Sequence, residues 1–172
     1  IGALTGAEVS DIRMSGVEDS EQPLKYAYKI KLPGYAEAVG RRLILQPLFN
    51  RKGDSPKFTS GERKYNIHFP YAWQEVDSIS IALPPGYRLE QADYPPAANF
   101  GAPGGFSLQA SATADGKVKI TRELVFGANG YLAFESRVYT QIKGVFDEIH
   151  RRDNLSISLQ RATGGGAPAG GQ

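Results

Sequence analysis

The sequence predicts a mainly β fold: a two-layer antiparallel β-sandwich, immunoglobulin-like or related, with one C-terminal α-helix before the last strand. Three observations predict it. Apolar and polar side chains alternate over several short runs, Pro and Gly interrupt those runs, and one late stretch changes to the three- and four-residue spacing of a helix.

Taken in order, a first strand is expected around residues 9–14. The clearest follows it, because Leu24, Tyr26, Tyr28, Ile30 and Leu32 alternate with Lys25, Lys29 and Lys31. That is the two-residue period of a strand with one dry and one wet face. Residues 42–48, 65–69 and 87–90 read as further strands. Ile79, Ile81 and Leu83 alternate with Ser78, Ser80 and Ala82, and Leu155, Ile157 and Leu159 with Ser156 and Ser158. Between them, residues 63–96 read as two strands joined by an aromatic loop and closed by Leu83-Pro84-Pro85-Gly86-Tyr87.

Residues 106–113 and 117–126 form a hairpin around Asp115-Gly116, and the side-chain pattern decides its loop. A two-residue loop would set Val118 opposite Thr113 and Ile120 opposite Ser111. A three-residue loop, Ala114-Asp115-Gly116, sets Val118 opposite Ala112, Ile120 opposite Ala110 and Leu124 opposite Phe106, which gathers apolar groups on one face. The longer loop is therefore expected, with Gly116 in the left-handed region where a Cβ would be penalised.

Val138, Ile142, Val145, Phe146 and Ile149 form one apolar helical stripe that should cover part of a sheet. Arg151 and Arg152 suit the negative pole of its C-terminus, and Asp153-Asn154 should stop it before the final strand. Gly144 inside it implies either close packing or a weakened helix.

A chain of 172 residues suits one domain, expected over 1–162, with the Gly-, Ala- and Pro-rich residues 163–172 as a flexible tail. The absence of an initiator Met at Ile1 and of a signal pattern points to a fragment or a processed product. The balance of 20 Lys and Arg against 18 Asp and Glu, with the basic pairs scattered, implies no nucleic-acid partner. No apolar run approaches the roughly 20 residues of a membrane span.

The chain has no Cys, so disulfides, thiolate metal sites and thiol nucleophiles are excluded. His68 and His150 lie in unlike contexts and no metal spacing emerges. Asp147, Glu148, His150 and Asp153 form a polar group that reads as a solvated helix face rather than a cation site. A G-x-S-x-G elbow is absent, residues 101–105 lack the Lys-Ser or Lys-Thr of a phosphate loop, and nothing nominates a carboxylate pair. No catalytic residue, cofactor or metal site is implied, so a self-contained hydrolase ranks last among the function classes.

Aromatic residues offer a binding candidate. Phe69, Tyr71 and Trp73 surround Pro70 in an expected loop, where an exposed platform could stack on a sugar ring or a peptide. The competing reading, an aromatic plug closing the end of the sandwich, is favoured because Trp is highly buried on average. Tyr87 and Tyr94 carry the same ambiguity.

Three segments also carry a family resemblance: Leu43 to Phe49 (LILQPLF), the Arg63 to Gly86 block with Phe69-Pro70 and Leu83-Pro84-Pro85-Gly86-Tyr87, and the Tyr139 to Leu159 order of helix, Asp153 and apolar strand. In these the chain resembles the C-terminal β domain of bacterial transglutaminase-like proteins. The resemblance implies an upstream papain-like module that uses Cys, His and Asp, and a periplasmic or extracellular setting. No catalytic residue of that module transfers to a chain without Cys. The expected function is thus a non-catalytic accessory domain that packs against or regulates its catalytic neighbour. The alternative is an independent glycan- or peptide-binding module that uses the aromatic loop. An accessory domain should present an uncovered apolar patch, and a binding module a concave aromatic groove.

Overall fold

The structure, a computed structural model, describes residues 6–91 and 94–162. The expected tail, residues 163–172, lies outside them. The described chain begins with β1 (Glu8–Ser15), β2 (Lys25–Lys31), β3 (Glu37–Val39) and β4 (Arg42–Leu45), followed by a 3-10 turn at Phe49–Arg51. Next come β5 (Ile67–His68), β6 (Trp73–Ala82), β7 (Tyr87–Gln91), β8 (Ala98–Asn99), β9 (Gly104–Ala112), β10 (Lys117–Phe126) and β11 (Ala133–Phe134). The helix α1 (Tyr139–Asp153) precedes β12 (Ile157–Arg161).

The fold is mainly β, with antiparallel sheets and a C-terminal helix before the last strand. Two four-stranded sheets, in the orders β6-β10-β9-β8 and β3-β4-β12-β7, supply most of the core, while β5 pairs with β11. Val118, Ile120, Leu124 and Phe126 of β10 meet Phe106 and Leu108 of β9, Ile157 and Leu159 of β12, and Ile142, Phe146 and Ile149 of α1 in one buried cluster. Each large side chain so buried contributes about 1.5–3 kcal/mol of apolar transfer free energy.

The β9–β10 hairpin has the register that the apolar pattern requires, with Val118 opposite Ala112, Ile120 opposite Ala110 and Leu124 opposite Phe106. Its three-residue loop closes through the Thr113 N–H donating to the Lys117 carbonyl at 2.8 Å. Gly116 has φ +76°, the left-handed conformation that a glycine accepts at least cost.

In α1 the stripe of Ile142, Phe146 and Ile149 is buried against the sheets. Gly144 is exposed, and a Cβ built there would meet nothing within 4 Å. Close packing is therefore not its role.

Two expectations need correction. Trp73 is the first residue of β6 rather than part of a loop, because β6 pairs with β10 from Trp73 opposite Phe126 through to Ala82 opposite Lys117. Asp153 is buried rather than solvated, since its carboxylate turns inward to a charged partner on β10.

The β1–β2 hairpin stands apart. Its register slips between Ser10 and Arg13, where Asp11 has φ +53°. The extra residue reverses the parity of β1, so that Val9 lies opposite Ile30 and Met14 opposite Tyr26, and both face the even-numbered apolar side of β2. That side is uncovered: Met14 is 58% and Tyr26 51% exposed.

Candidate functional site

On the inner face of the β6–β10 pair, alternate positions carry Trp73, Glu75, Asp77, Ile79 and Ile81 on β6, and Phe126, Leu124, Arg122, Ile120 and Val118 on β10. Pleating sends all of them to one side. Arg122 therefore sits in the middle of an apolar row, 1% exposed, directly opposite Asp77 and diagonal to Glu75.

Arg122 has four short contacts there. Its Nε donates to Asp153 Oδ1 at 2.6 Å and its Nη2 to Asp153 Oδ2 at 2.9 Å, the two-pronged geometry that fits guanidinium to carboxylate. Nη1 donates to Glu75 at 2.8 Å and to Asp77 at 3.1 Å. Burial opposes the charge, but the hydrogen bonds and charges of Asp153 and Glu75 outweigh it and hold the guanidinium above its ordinary value. Arg51 also reaches Glu75, at 2.5 Å. The network ties α1 to the sheet, because the Asp153 carboxylate of the helix and those of Glu75 and Asp77 on β6 all accept from Arg122 of β10.

At the Trp73–Phe126 end of this face, aromatic rings replace charge. Phe69, Phe126 and Phe146 pack with centroids 4.7 to 5.6 Å apart, and Trp73 lies 4.5 Å from Phe126. Phe69 is buried and belongs to this core cluster. Trp73 is half-buried at its rim, while Tyr71 is 67% exposed and meets Trp73 edge-on at 6.4 Å. The structure thus brings the three aromatic candidates together but leaves Tyr71 and one margin of Trp73 open.

Two hollows adjoin along this edge. One, of about 160 Å³, is lined by charged groups that include Arg51, Asp54, Glu75, Arg122, His150 and Asp153. The other, of about 490 Å³, is lined by Lys57, Phe69, Pro70, Tyr71, Trp73, Gln74 and Glu75. Lys57, Trp73 and Glu75 border both. His150 is half-buried at the first hollow and His68 is exposed on β5. Among the described residues no group of three or more His, Cys, Asp or Glu side chains is placed to hold a metal ion, and no helix is long and apolar enough to cross a membrane.

A family model described as "Domain of Unknown Function with solved-structure structure (DUF3858)" matches residues 41–159. The chain belongs to that family. The DUF3858 match begins one residue before β4 and ends within β12, so it takes in both hollows, the Arg122 network and α1. The β1–β2 hairpin and β3 precede it. Neither a curated protein nor a solved structure matches the chain.

Sequence reasoning missed Arg122, Glu75, Asp77 and Lys57. The first three carried a signal in their parity, since each falls in phase with apolar neighbours on its strand and must point inward with them. Lys57 carried none, because its loop has no period.

Proposed function

We propose that this chain is a non-catalytic accessory domain of a larger exported protein, docking on a transglutaminase- or protease-like module and positioning or regulating it. The module and its export rest on the resemblance in residues 43–159. The observation that carries docking is the uncovered apolar side of the β1–β2 hairpin, where Val9, Ile12, Met14 and Tyr26 are all exposed. An isolated two-stranded hairpin is marginal in water, and contiguous exposed apolar surface marks an interaction face.

The test is binding between the purified chain and the separately expressed upstream catalytic region of its parent, by calorimetry, with activity of that region measured in parallel. The double variant Met14→Ser/Tyr26→Ser should weaken binding about thirtyfold or more, at about 1 kcal/mol or more per hairpin side chain lost from the interface. The same variant should change stability by no more than about 0.5 kcal/mol, because the side chains it alters are exposed. Absence of binding by the unaltered chain would overturn docking.

A second reading, an independent peptide- or glycan-binding module, is favoured by the open hollow beside Tyr71 and Trp73.

A further inference from the structure

Residues 52–66 contain neither helix nor strand and cross the aromatic end of the inner sheet. A connection this long is uncommon in a compact domain unless it has a use. Its middle is pinned against α1. Phe58 inserts between Tyr139 and Phe146 with centroids 5.7 and 5.4 Å away, the Tyr139 hydroxyl donates to the Ser60 carbonyl at 2.6 Å, and Lys143 Nζ donates to the Phe58 carbonyl at 2.8 Å.

That anchorage fixes the preceding residue, Lys57. Its ammonium nitrogen lies 5.6 Å from the Phe69 ring centroid, 5.3 Å from Trp73 and 5.5 Å from Phe146. Among the described residues it makes no ion pair with a carboxylate. A cation within about 6 Å of three ring faces is the arrangement by which aromatic cages hold organic ammonium groups. Here the protein's own lysine takes that seat. The seat opens onto the hollow of about 490 Å³, whose further wall is the exposed ring of Tyr71 and whose rim carries the Glu75 carboxylate.

We infer that this aromatic corner is a binding site for an alkylammonium group, with Lys57 as its resident occupant and competitor. The inference gives a ligand class to the hollow used by the second reading and is independent of docking through the hairpin. An incoming ammonium would displace Lys57 from the rings and gain the Tyr71 face that Lys57 does not use. Lys57 opposes it twice, by occupying the rings and by like charge.

The chain has a single Trp, so fluorescence of Trp73 reports directly on the site. Tetramethylammonium is the probe, with neutral 3,3-dimethylbutanol and N-acetylglucosamine as controls, on wild type, Lys57→Gln and Tyr71→Ala. Saturable perturbation by tetramethylammonium is expected, about threefold or more tighter in Lys57→Gln and weaker in Tyr71→Ala, the range that one exposed cation–π contact supplies. Both positions are exposed, and unchanged far-ultraviolet circular dichroism would verify the fold of each variant. Affinity unaltered by Lys57→Gln would overturn Lys57 as occupant. No response of wild type and Lys57→Gln, or equal binding of the neutral alcohol, would overturn the cation site. Binding of N-acetylglucosamine in place of the ammonium would overturn it in favour of a glycan, leaving the binding-module reading standing.

Discussion

The β6–β10–β9 face and the β1–β2 hairpin are both written as alternating apolar and polar residues, yet one is covered and the other is not. Above the first lie α1 and, at the other end, side chains of β12, and Val118, Ile120 and Phe126 are sealed from solvent. The second is largely open, with Val9, Met14 and Tyr26 exposed and Tyr28 and Ile30 half-buried, and its ion pairs, Lys29–Asp11 at 2.6 Å and Lys31–Glu8 at 3.3 Å, are exposed pairs of small worth. Alternation thus specifies a strand and its faces. What covers a face depends on tertiary or intermolecular contacts, and the hairpin's bulge at Asp11 brings Val9 and Met14 to one side without any change in the alternation of β2.

The covered face should lose most stability when the charge that it tolerates is removed. Arg122→Met would leave Asp153, Glu75 and Asp77 without the cation they surround. Breaking one side of a buried ion pair costs about 3–5 kcal/mol, because the remaining charge is desolvated and uncompensated. Urea denaturation should give a loss of that size. A loss under about 1 kcal/mol would mean that the network contributes nothing beyond the packing of its carbon atoms.

A smaller effect, of opposite sign, tests the outer side of the same covering helix. Gly144→Ala places a methyl group in open space on α1 and removes the backbone freedom of glycine from the unfolded chain. It should raise stability by about 0.8–1 kcal/mol, read as a higher urea midpoint with an unchanged slope. Destabilisation would show that the helix needs glycine for a contact with another surface.

The β9–β10 register followed from three pairs, Val118–Ala112, Ile120–Ala110 and Leu124–Phe106, because a one-residue slip would have sent each apolar group outward. The helix stripe followed from its period. The start of β6 did not, because Glu75 and Asp77 sit where apolar residues were expected and disguised the alternation that runs back to Trp73. Lys57 was invisible because cation–π seating depends on where an aperiodic loop is pinned, and Phe58, Ser60 and Lys143 settle that only in three dimensions. The aromatic triplet was seen as a group, but its division into buried Phe69 and exposed Tyr71 needed the strand start at Trp73.

The smallest effect lies at the rim of the covered region and comes with acid. Glu148 accepts from Arg151 at 2.7 and 2.8 Å and from Arg152 at 2.6 Å, and the Arg151 hydrogen bonds lead in lowering its pKa from 4.5 to about 2. Glu90 is lowered likewise, first by its hydrogen bonds from Arg42 and then by that from Ser158. A carboxyl whose folded pKa is depressed favours the folded state while ionised. Its contribution is therefore complete above about 4.5 and is lost as the pH falls toward 2. Because Glu148 is partly exposed, solvent screening limits its share to roughly 0.2–1 kcal/mol. Glu148→Gln should lower stability by that amount at pH 7 and leave it unchanged near pH 2, so that the acid limb of the variant is shallower than that of the wild type. Parallel limbs would mean that the Glu148–Arg151–Arg152 group is held by the helix without contributing to its stability. The pair on β4 and β7 would then have to account for the acid sensitivity, which Glu90→Gln would show directly.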